Sequence, residues 1–342
     1  MSAFDVEAIE AHLIAVGLAP VRNRSLLNLT TYAVGGNATL SVTVSSQLSI
    51  RALVEVTAQH PDVPVVVIGR GSNTLISDQG FDGLVVFVSA SANEATIEVE
   101  ENIVNVAGSV TMPVLARRSV KAGRGGLDWC VGIPGSVGGA VRMNAGGHGA
   151  EMVDSLVAVE LASLKSGQSL SVAASELGLH FRGSAVAPHH IVVSAQLLTV
   201  SREVADGQKE IDDVVSWRRE HQPGGRNAGS VFVNPAPGAG SSGALIDACG
   251  LRGFAIGGAQ VSAKHANFIQ ASDGATAQDI ISVMSHVQDV VQQQHGVLLR
   301  SEVCLLGFGD DVLTRFADPR HSDGDHVTAS RSLAHVMGES RE

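Results

Sequence analysis

The sequence has few basic residues and no long apolar run. Its 342 residues include 23 Lys and Arg but 34 Asp and Glu, so the formal net charge at pH 7 is −11. This imbalance argues against nucleic acid or an anionic membrane as a partner, because both attract clustered Lys and Arg. No stretch approaches the roughly 18 apolar residues of a membrane-spanning helix, and the first residues lack the basic start of a signal peptide. We therefore expect a cytoplasmic protein without membrane insertion.

Cysteine is scarce as well. Cys130, Cys249 and Cys304 are odd in number and far apart, which excludes a disulfide framework and the paired spacing of a zinc site. The neighbouring His189 and His190 belong to no ligand set of fixed spacing. We therefore predict no bound metal ion.

Glycine, in contrast, is abundant, and much of it lies in two stretches. Segment 123–149 holds ten of the 38 glycines, so its backbone must turn sharply or approach a ligand closely. Segment 69–73 (Gly-Arg-Gly-Ser-Asn) follows an apolar strand, but it lacks the third glycine and the following helix of a Rossmann motif. We interpret both stretches as main-chain cradles for an anionic cofactor, with an ordinary loop-rich connector as the alternative.

Hydrophobic periodicity divides the rest of the chain into short elements. Helices are predicted at 6–16, 48–59, 114–121, 209–220, 243–253 and 278–293. Strands are predicted at 38–44, 63–68, 84–88, 96–99, 103–107, 157–164, 191–200 and 297–306. We expect a loop leading into a strand at 259–269 and a loose, dispensable tail from residue 310 onward.

Six segments, in order along the chain, resemble the UDP-N-acetylenolpyruvoylglucosamine reductase family. They are 31–36, 69–75, 126–149, 229–235 with the preceding Arg219-x-x-Gln222-Pro223, 259–268 and 296–307. The resemblance implies an α+β fold, with a two-part FAD-binding region of the vanillyl-alcohol-oxidase (PCMH) type and a C-terminal α+β substrate-binding domain. We place the first FAD-binding subdomain at 1–62, the second at 63–205, the substrate-binding domain at 206–309 and the tail at 310–342.

The resemblance also implies an activity. The family reduces UDP-N-acetylglucosamine enolpyruvate to UDP-N-acetylmuramate in peptidoglycan precursor synthesis, with non-covalent FAD as cofactor and NADPH as co-substrate. The family's cofactor motifs, carried over residue by residue, assign a set of small and polar residues to FAD binding. They are Gly35, Gly69, Arg70, Gly71, Ser72, Asn73, Gly132, Ile133, Pro134, Gly135, Ser136, Gly138, Gly139, Asn144 and Gly146. We expect the chain to act as a monomer.

Three residues match the family's catalytic positions. Ser230 would donate a proton to the enolate carbon, and Arg182 would bind the substrate carboxylate and stabilise the developing charge. Glu302, on the last predicted strand, would be kept neutral by burial, because an ionised carboxylate would repel the enolate.

Asn234, Lys264 and Arg226 are candidates for contacts with the UDP part of the substrate. The sequence departs from the family at two nearby positions. Phe181 stands where the family usually has Tyr before its catalytic Arg, and Val233 replaces a common Lys. The cation that binds the diphosphate is therefore not identified. The short interval from Arg182 to Ser230 is typical of the family's class without a long Tyr-bearing loop.

Two alternatives stay open on the sequence. Another FAD-dependent oxidase of the same fold would need no proton donor for an enolate, so Ser230 and Glu302 argue against it. A non-catalytic flavin-binding module is suggested by Phe181 and Val233, and it predicts bound FAD without turnover. NADPH oxidation that depends on the enolpyruvyl substrate distinguishes the reductase from both.

Overall fold

A computed structural model describes residues 4–89, 96–235, 238–317 and 324–339. Its first part is a four-stranded sheet with two helices. The elements are α1 (Val6–Ala15), β1 (Val21–Ser25), β2 (Asn37–Val44), α2 (Gln47–Ala58), β3 (Val65–Ile68), β4 (Thr74–Ile76) and β5 (Phe81–Val88). The sheet order is β1-β2-β5-β3, and β5 runs parallel to both β2 and β3.

This sheet corrects the first predicted domain boundary. The parallel ladders join β2 to β5 and β5 to β3, so a single sheet continues across the division that we predicted between residues 62 and 63. Hydrophobic periodicity locates strands but does not show which strands pair, because pairing here links residues far apart in sequence. The first structural unit extends at least to Val88.

The second part is a five-stranded antiparallel sheet that is covered by helices. Its elements are β6 (Ile97–Glu100), β7 (Ile103–Ala107), α3 (Met112–Lys121), β8 (Arg124–Gly125), α4 (Val137–Arg142), β9 (Gly146–Gly147), β10 (Ala150–Glu151), β11 (Leu156–Ser163), β12 (Ser169–Ala173), β13 (His190–Leu198) and β14 (Val200–Ser201). The sheet order is β12-β11-β13-β7-β6. Pro113 lies in the first turn of α3, where its missing N–H costs no helical hydrogen bond. Single-turn 3₁₀ helices at Asp128–Gly132, Met152–Asp154 and Ala174–Glu176 complete this part.

The third part contains a small three-stranded meander on which its longest helix packs, whereas the helix that leads into this part packs on the second part. Its elements are α5 (Val204–His221), α6 (Ser242–Ala248), β15 (Ala255–Ile256), β16 (Ala259–Val261), β17 (Ile269–Ala271), α7 (Ala277–His295) and β18 (Cys304–Leu306). A capping box between Thr276 and Asp279 begins α7, and Gly296 in the left-handed region ends it. β18 pairs in parallel with β4, so the third part is joined to the first glycine-rich loop.

Two predicted elements differ in the structure. The segment 259–269, predicted as a loop leading into a strand, ends on the first residue of β17 as expected but begins with an additional strand, β16, which pairs with β17 in a hairpin. The strand predicted at 297–306 shrinks to β18, because before it only Ser301 makes a bridge, to Phe232. An apolar run becomes strand only where a partner strand is available.

The tail is also different from the prediction. It forms α8 (Asp310–Phe316) and α9 (Gly324–Val336). Phe316, Leu333 and Met337 are buried, and the last two pack into the core of the second part. The expectation of a loose tail was wrong for these described residues, because it rested on polar composition and overlooked the helical spacing of Leu333 and Met337.

No described helix combines the length and the apolar character that crossing a membrane requires.

Candidate active site

A cavity of about 310 Å³ lies where the three parts of the chain meet. Both glycine-rich loops, the start of β13, the end of α5 and the segment before β18 contribute to its walls. Arg182, Ser230 and Glu302 line it together. Residues predicted from separate motifs are therefore gathered around one space.

The two glycine-rich loops contact each other directly. The Ser72 hydroxyl donates a hydrogen bond to the Pro134 carbonyl at 3.1 Å. A Cβ atom on Gly69 would lie 2.5 Å from the Ser136 hydroxyl, and one on Gly135 would lie 2.8 Å from the Ser72 hydroxyl. A side chain at either glycine would have to displace a serine hydroxyl, and the φ of +120° at Gly135 adds strain for any other residue. Glycine thus permits the close approach of the two loops along the cavity.

Gly71 shows that this surface fits an anion-bearing cofactor. It is buried, its φ is +60°, and a Cβ atom there would collide with the carbonyl oxygen of Leu29. Among the described residues, the Gly71 and Ser72 amides have no hydrogen-bond acceptor. Gly71 is buried and Ser72 is half-buried, and adjacent amides without a protein acceptor favour a bound anion such as a pyrophosphate. The neighbouring Arg70 also lines the cavity.

Most of the residues predicted to bind FAD line the cavity. They are Gly69, Arg70, Gly71, Ser72, Asn73, Ile133, Pro134, Gly135, Ser136, Gly138, Gly139 and Gly146. Three others lie behind it. A Cβ atom on Gly35 would lie 2.9 Å from that of Ile76, and one on Gly132 would lie 3.0 Å from Val214. Asn144 is buried and donates to the His180 carbonyl at 3.0 Å. In this structure these three residues support the loops and do not face the cavity.

Arg182 is held in a fixed orientation. Its guanidinium lies 2.9 Å from Glu151 Oε1, 3.2 Å from Glu302 Oε1 and 3.1 Å from the Gly146 carbonyl. Its φ is +61°, an uncommon conformation for a residue with a side chain. Non-glycine residues in this region are often found at functional sites. The guanidinium also lies 4.6 Å from the centre of the Phe181 ring.

Glu302 lies two residues before β18 and not on the strand as we predicted. Its N–H donates to the Val231 carbonyl at 2.8 Å, and its own carbonyl accepts from Asn73 Nδ2 at 2.9 Å. Its main chain thus joins the first glycine-rich loop to the segment that carries Ser230. The Glu302 side chain pairs with Arg182, with Oε1 3.2 Å from the guanidinium. The neutral form stays a prediction for the complex with substrate.

Ser230 is placed by the residues on either side of it. Gly229, with φ +78°, donates to Asn227 Oδ1 at 3.0 Å. Val231 donates to the Asn267 carbonyl at 2.8 Å. With both neighbours fixed, the Ser230 side chain is held at the cavity wall.

The three residues predicted to bind the substrate lie in different places. Asn234 lines the cavity, and its side-chain oxygen accepts from the Ser242 amide at 3.0 Å. Lys264 and Arg226 are not among the residues lining it. Lys264 Nζ contacts the Arg219 carbonyl at 2.5 Å, and Arg226 pairs with Asp273 at 2.8 Å.

Sequence reasoning missed two cavity residues near the end of α5, Arg218 and Gln222. Burial lowers the pKa of Arg218, and its guanidinium has no ion pair among the described residues. The side-chain oxygen of Gln222 is buried without a hydrogen-bond partner among them. Arg218 lies in the last turn of α5, and Gln222 directly follows the helix. The available signal was the Arg219-x-x-Gln222-Pro223 motif, which contains Gln222 and is adjacent to Arg218.

Family models match two regions of the chain. A model described as "FAD binding domain" matches residues 38–172, and one described as "UDP-N-acetylenolpyruvoylglucosamine reductase, C-terminal domain" matches residues 221–306. The predicted order, an FAD-binding region followed by a C-terminal domain, is therefore confirmed. The first match also crosses the boundary predicted between residues 62 and 63.

Individual relatives are similar in sequence to this protein over most of its length. A protein named UDP-N-acetylenolpyruvoylglucosamine reductase from Gloeobacter violaceus is 42% identical over 83% of this chain and 95% of its own length. A protein of that name from Synechococcus elongatus is 40% identical over 84% and 95%. The crystal structure of UDP-N-acetylenolpyruvylglucosamine reductase from Thermus caldophilus superposes with a TM-score of 0.71 at 31% identity, covering 84% of this chain and 98% of that one.

Proposed function

The chain belongs to the UDP-N-acetylenolpyruvoylglucosamine reductase family, and we propose that it reduces UDP-N-acetylglucosamine enolpyruvate to UDP-N-acetylmuramate with NADPH. The observation that carries this proposal is the convergence of Arg182, Ser230 and Glu302 on a cavity that is also lined by two glycine-rich loops. The FAD-binding domain match supports FAD as the cofactor.

The two glycine-rich loops would hold FAD, with the free amides of Gly71 and Ser72 at its pyrophosphate. When bound, FAD supplies hydride transfer between NADPH and the substrate double bond. The protein itself would bind and orient the substrate, supply one proton and stabilise one developing negative charge.

Arg182 would bind the substrate carboxylate by charge-assisted hydrogen bonds. Glu151 and the Gly146 carbonyl hold two of its nitrogens, so the guanidinium is oriented before the substrate arrives. Hydride addition at the terminal carbon spreads negative charge over the carboxylate as an enolate. A guanidinium already in place stabilises that charge without reorganisation.

Ser230 would then protonate the adjacent carbon. A serine hydroxyl is a weak acid, so its proton must be restored through water. Glu302 lies beside Arg182, where it would donate to the enolate if protonated. The substrate carboxylate would compete for Arg182, and its negative charge would favour uptake of a proton by Glu302.

Arg218 and Gln222 would bind the nucleotide part of the substrate together with Asn234. A cavity-lining cation without a carboxylate partner and a buried amide oxygen without a donor are suited to polar, anionic groups. Arg218 thereby offers an answer to the missing Lys at Val233. A cytoplasmic location and a monomeric state stay predictions.

The decisive assay follows NADPH oxidation by the FAD-loaded protein with and without the enolpyruvyl substrate. We expect oxidation that depends on this substrate and formation of its reduced product. Rapid oxygen consumption with an alcohol donor would support an oxidase instead. Bound FAD with no turnover under either condition would support the flavin-binding module.

A further inference from the structure

The tail ends on a cluster of polar side chains that the proposed reaction does not use. Glu339 Oε1 accepts hydrogen bonds from three donors, namely Ser163 Oγ at 2.5 Å, His190 Nε2 at 2.8 Å and His189 Nε2 at 3.0 Å. The side chains of His190 and Glu339 are only 1% and 10% exposed. We name Glu339, His189, His190 and Ser163 the tail latch.

The tail latch has the residue types of a metal site, but its hydrogen bonds favour a different role. The Ala187 amide donates to His190 Nδ1 at 3.1 Å, so Nδ1 carries the lone pair in neutral His190 and Nε2 carries the proton. An Nε2–H group donates to a carboxylate and has no lone pair for a cation. The geometry is therefore that of a carboxylate held by donors.

The carboxylate is stabilised in its ionised form. Burial by itself opposes ionisation, but hydrogen bonds from His189, His190 and Ser163 lower the pKa of Glu339 well below its ordinary value. Burial lowers the pKa of His189. The latch is thus a carboxylate held by three donors, and hydrogen bonds to an ionised acceptor are stronger than those between two neutral groups.

The latch fastens the ends of two central strands. Ser163 and His190 are direct cross-strand partners on β11 and β13, and Glu339 bonds both. The His189 carbonyl also accepts from the Leu164 amide at 3.2 Å. One side chain of the tail therefore joins the end of β11, the start of β13 and the residue that precedes β13.

The same short segment forms a wall of the flavin cavity. His190, Ile191 and Val192 line that cavity, as does Val67 of β3. The Val67 amide donates to the Pro188 carbonyl at 2.8 Å, so segment 188–192 also joins the first and second parts of the chain. His190 therefore belongs both to the cavity wall and to the tail latch.

We propose that Glu339 is a positioning residue for FAD, which acts by fixing segment 188–192 through the tail latch. The tail lies beyond residue 306, where the match to the family's C-terminal model ends, so this device is additional to the residues carried over from the family. The inference rests on FAD as the occupant of the cavity, which is part of the proposed function.

The test compares FAD binding by the whole chain and by its Glu339→Gln variant. The amide removes the charge and turns an NH₂ group toward three donors. We expect the dissociation constant of FAD to rise about tenfold, mainly through faster release. Glu55→Gln, at an exposed glutamate of α2, is the matched control and should bind FAD like the wild type. Ser163→Ala removes one of the three donors to Glu339 together with the acceptor of the Lys165 and Ser166 amides, and it should change FAD binding in the same direction by a smaller factor.

A second readout does not depend on FAD. Amide hydrogen exchange at Val67 in the flavin-free protein should speed up in Glu339→Gln, because the Pro188 carbonyl that accepts from it loses its support. If Glu339→Gln lowers the melting temperature equally with and without FAD and leaves the dissociation constant within twofold of wild type, Glu339 only stabilises the tail and the proposal fails. Should this variant not fold, Ser163→Ala decides by the same criteria. A wild-type chain that binds no FAD would instead contradict the proposed function.

Discussion

The cofactor cradle and the catalytic residues of this protein are built in opposite ways. The cradle consists of main chain from two compact segments, and glycine permits the loops to approach each other closely at Gly69 and Gly135. The catalytic group consists of side chains from three loops that are distant in sequence, with Arg182 and Glu302 only 3.2 Å apart. Binding thus depends on local backbone shape, whereas catalysis depends on long-range assembly. Substitutions should separate the two properties.

The largest effect is expected in the cradle. Gly71→Val should abolish FAD binding, because any side chain there would collide with the Leu29 carbonyl and the positive φ adds strain. The collision is with the protein backbone, which cannot move aside as a flexible side chain could. Flavin absorbance per purified chain measures the outcome. Gly224→Val, with open space around the glycine, is the control and should retain FAD. If the Gly71→Val protein retains one FAD per chain, this loop is not part of the FAD-binding site.

Ser230→Ala should spare the cradle and damage one half-reaction. Loss of a general acid costs about 10²- to 10⁴-fold, so reduction of the enolpyruvyl substrate should slow by that factor. FAD content and the rate of NADPH oxidation in the absence of that substrate should stay near normal, since neither needs a proton from Ser230. Anaerobic stopped-flow absorbance separates the two steps. Equal slowing of both would make Ser230 a residue that shapes the pocket. Ser272→Ala, at an exposed hydroxyl, serves as the control.

Arg218→Ala should affect substrate binding more than chemistry. A lost charge-assisted hydrogen bond typically weakens binding about 10- to 100-fold, so KM for the enolpyruvyl substrate should rise by that order while kcat changes less. Arg226→Ala removes an exposed cation outside the cavity and should change KM less than twofold. Steady-state kinetics decide between them. A larger rise in KM for Arg226→Ala would indicate that the nucleotide binds at the residues first predicted for it.

The smallest expected effect is the difference in activity between the Glu302→Gln and Glu302→Ala variants. An amide keeps a hydrogen-bond donor that cannot ionise, so we expect it to retain about tenfold more activity than alanine, as one neutral hydrogen bond would give. Both variants should bind FAD, because Asn73 bonds the main-chain carbonyl of residue 302 and not its side chain. Similar losses of activity in both variants would indicate that the reaction needs a carboxyl group at this position. That group would act either as an ionised carboxylate beside Arg182 or as a proton donor that an amide cannot replace.

The sequence by itself determined the local features of this protein. Helical spacing located α1, α3 and α7 to within a few residues, because those helices bury one apolar face. Asp5 and Thr276 cap α1 and α7, and Pro113 lies in the first turn of α3. The glycine-rich loops and the identities of Arg182, Ser230 and Glu302 were also available, because motif and order suffice for them.

Only the tertiary structure decided what is non-local. It joined β2 to β5 and β3 across a predicted boundary, separated Asn234 from Lys264 and Arg226, and brought Arg218 to the cavity. It also showed that the tail, whose composition predicts disorder, is attached to the second part of the chain through Glu339. Each of these outcomes depends on a contact between residues far apart in the chain, and local propensity carries no information about such contacts until the core has formed.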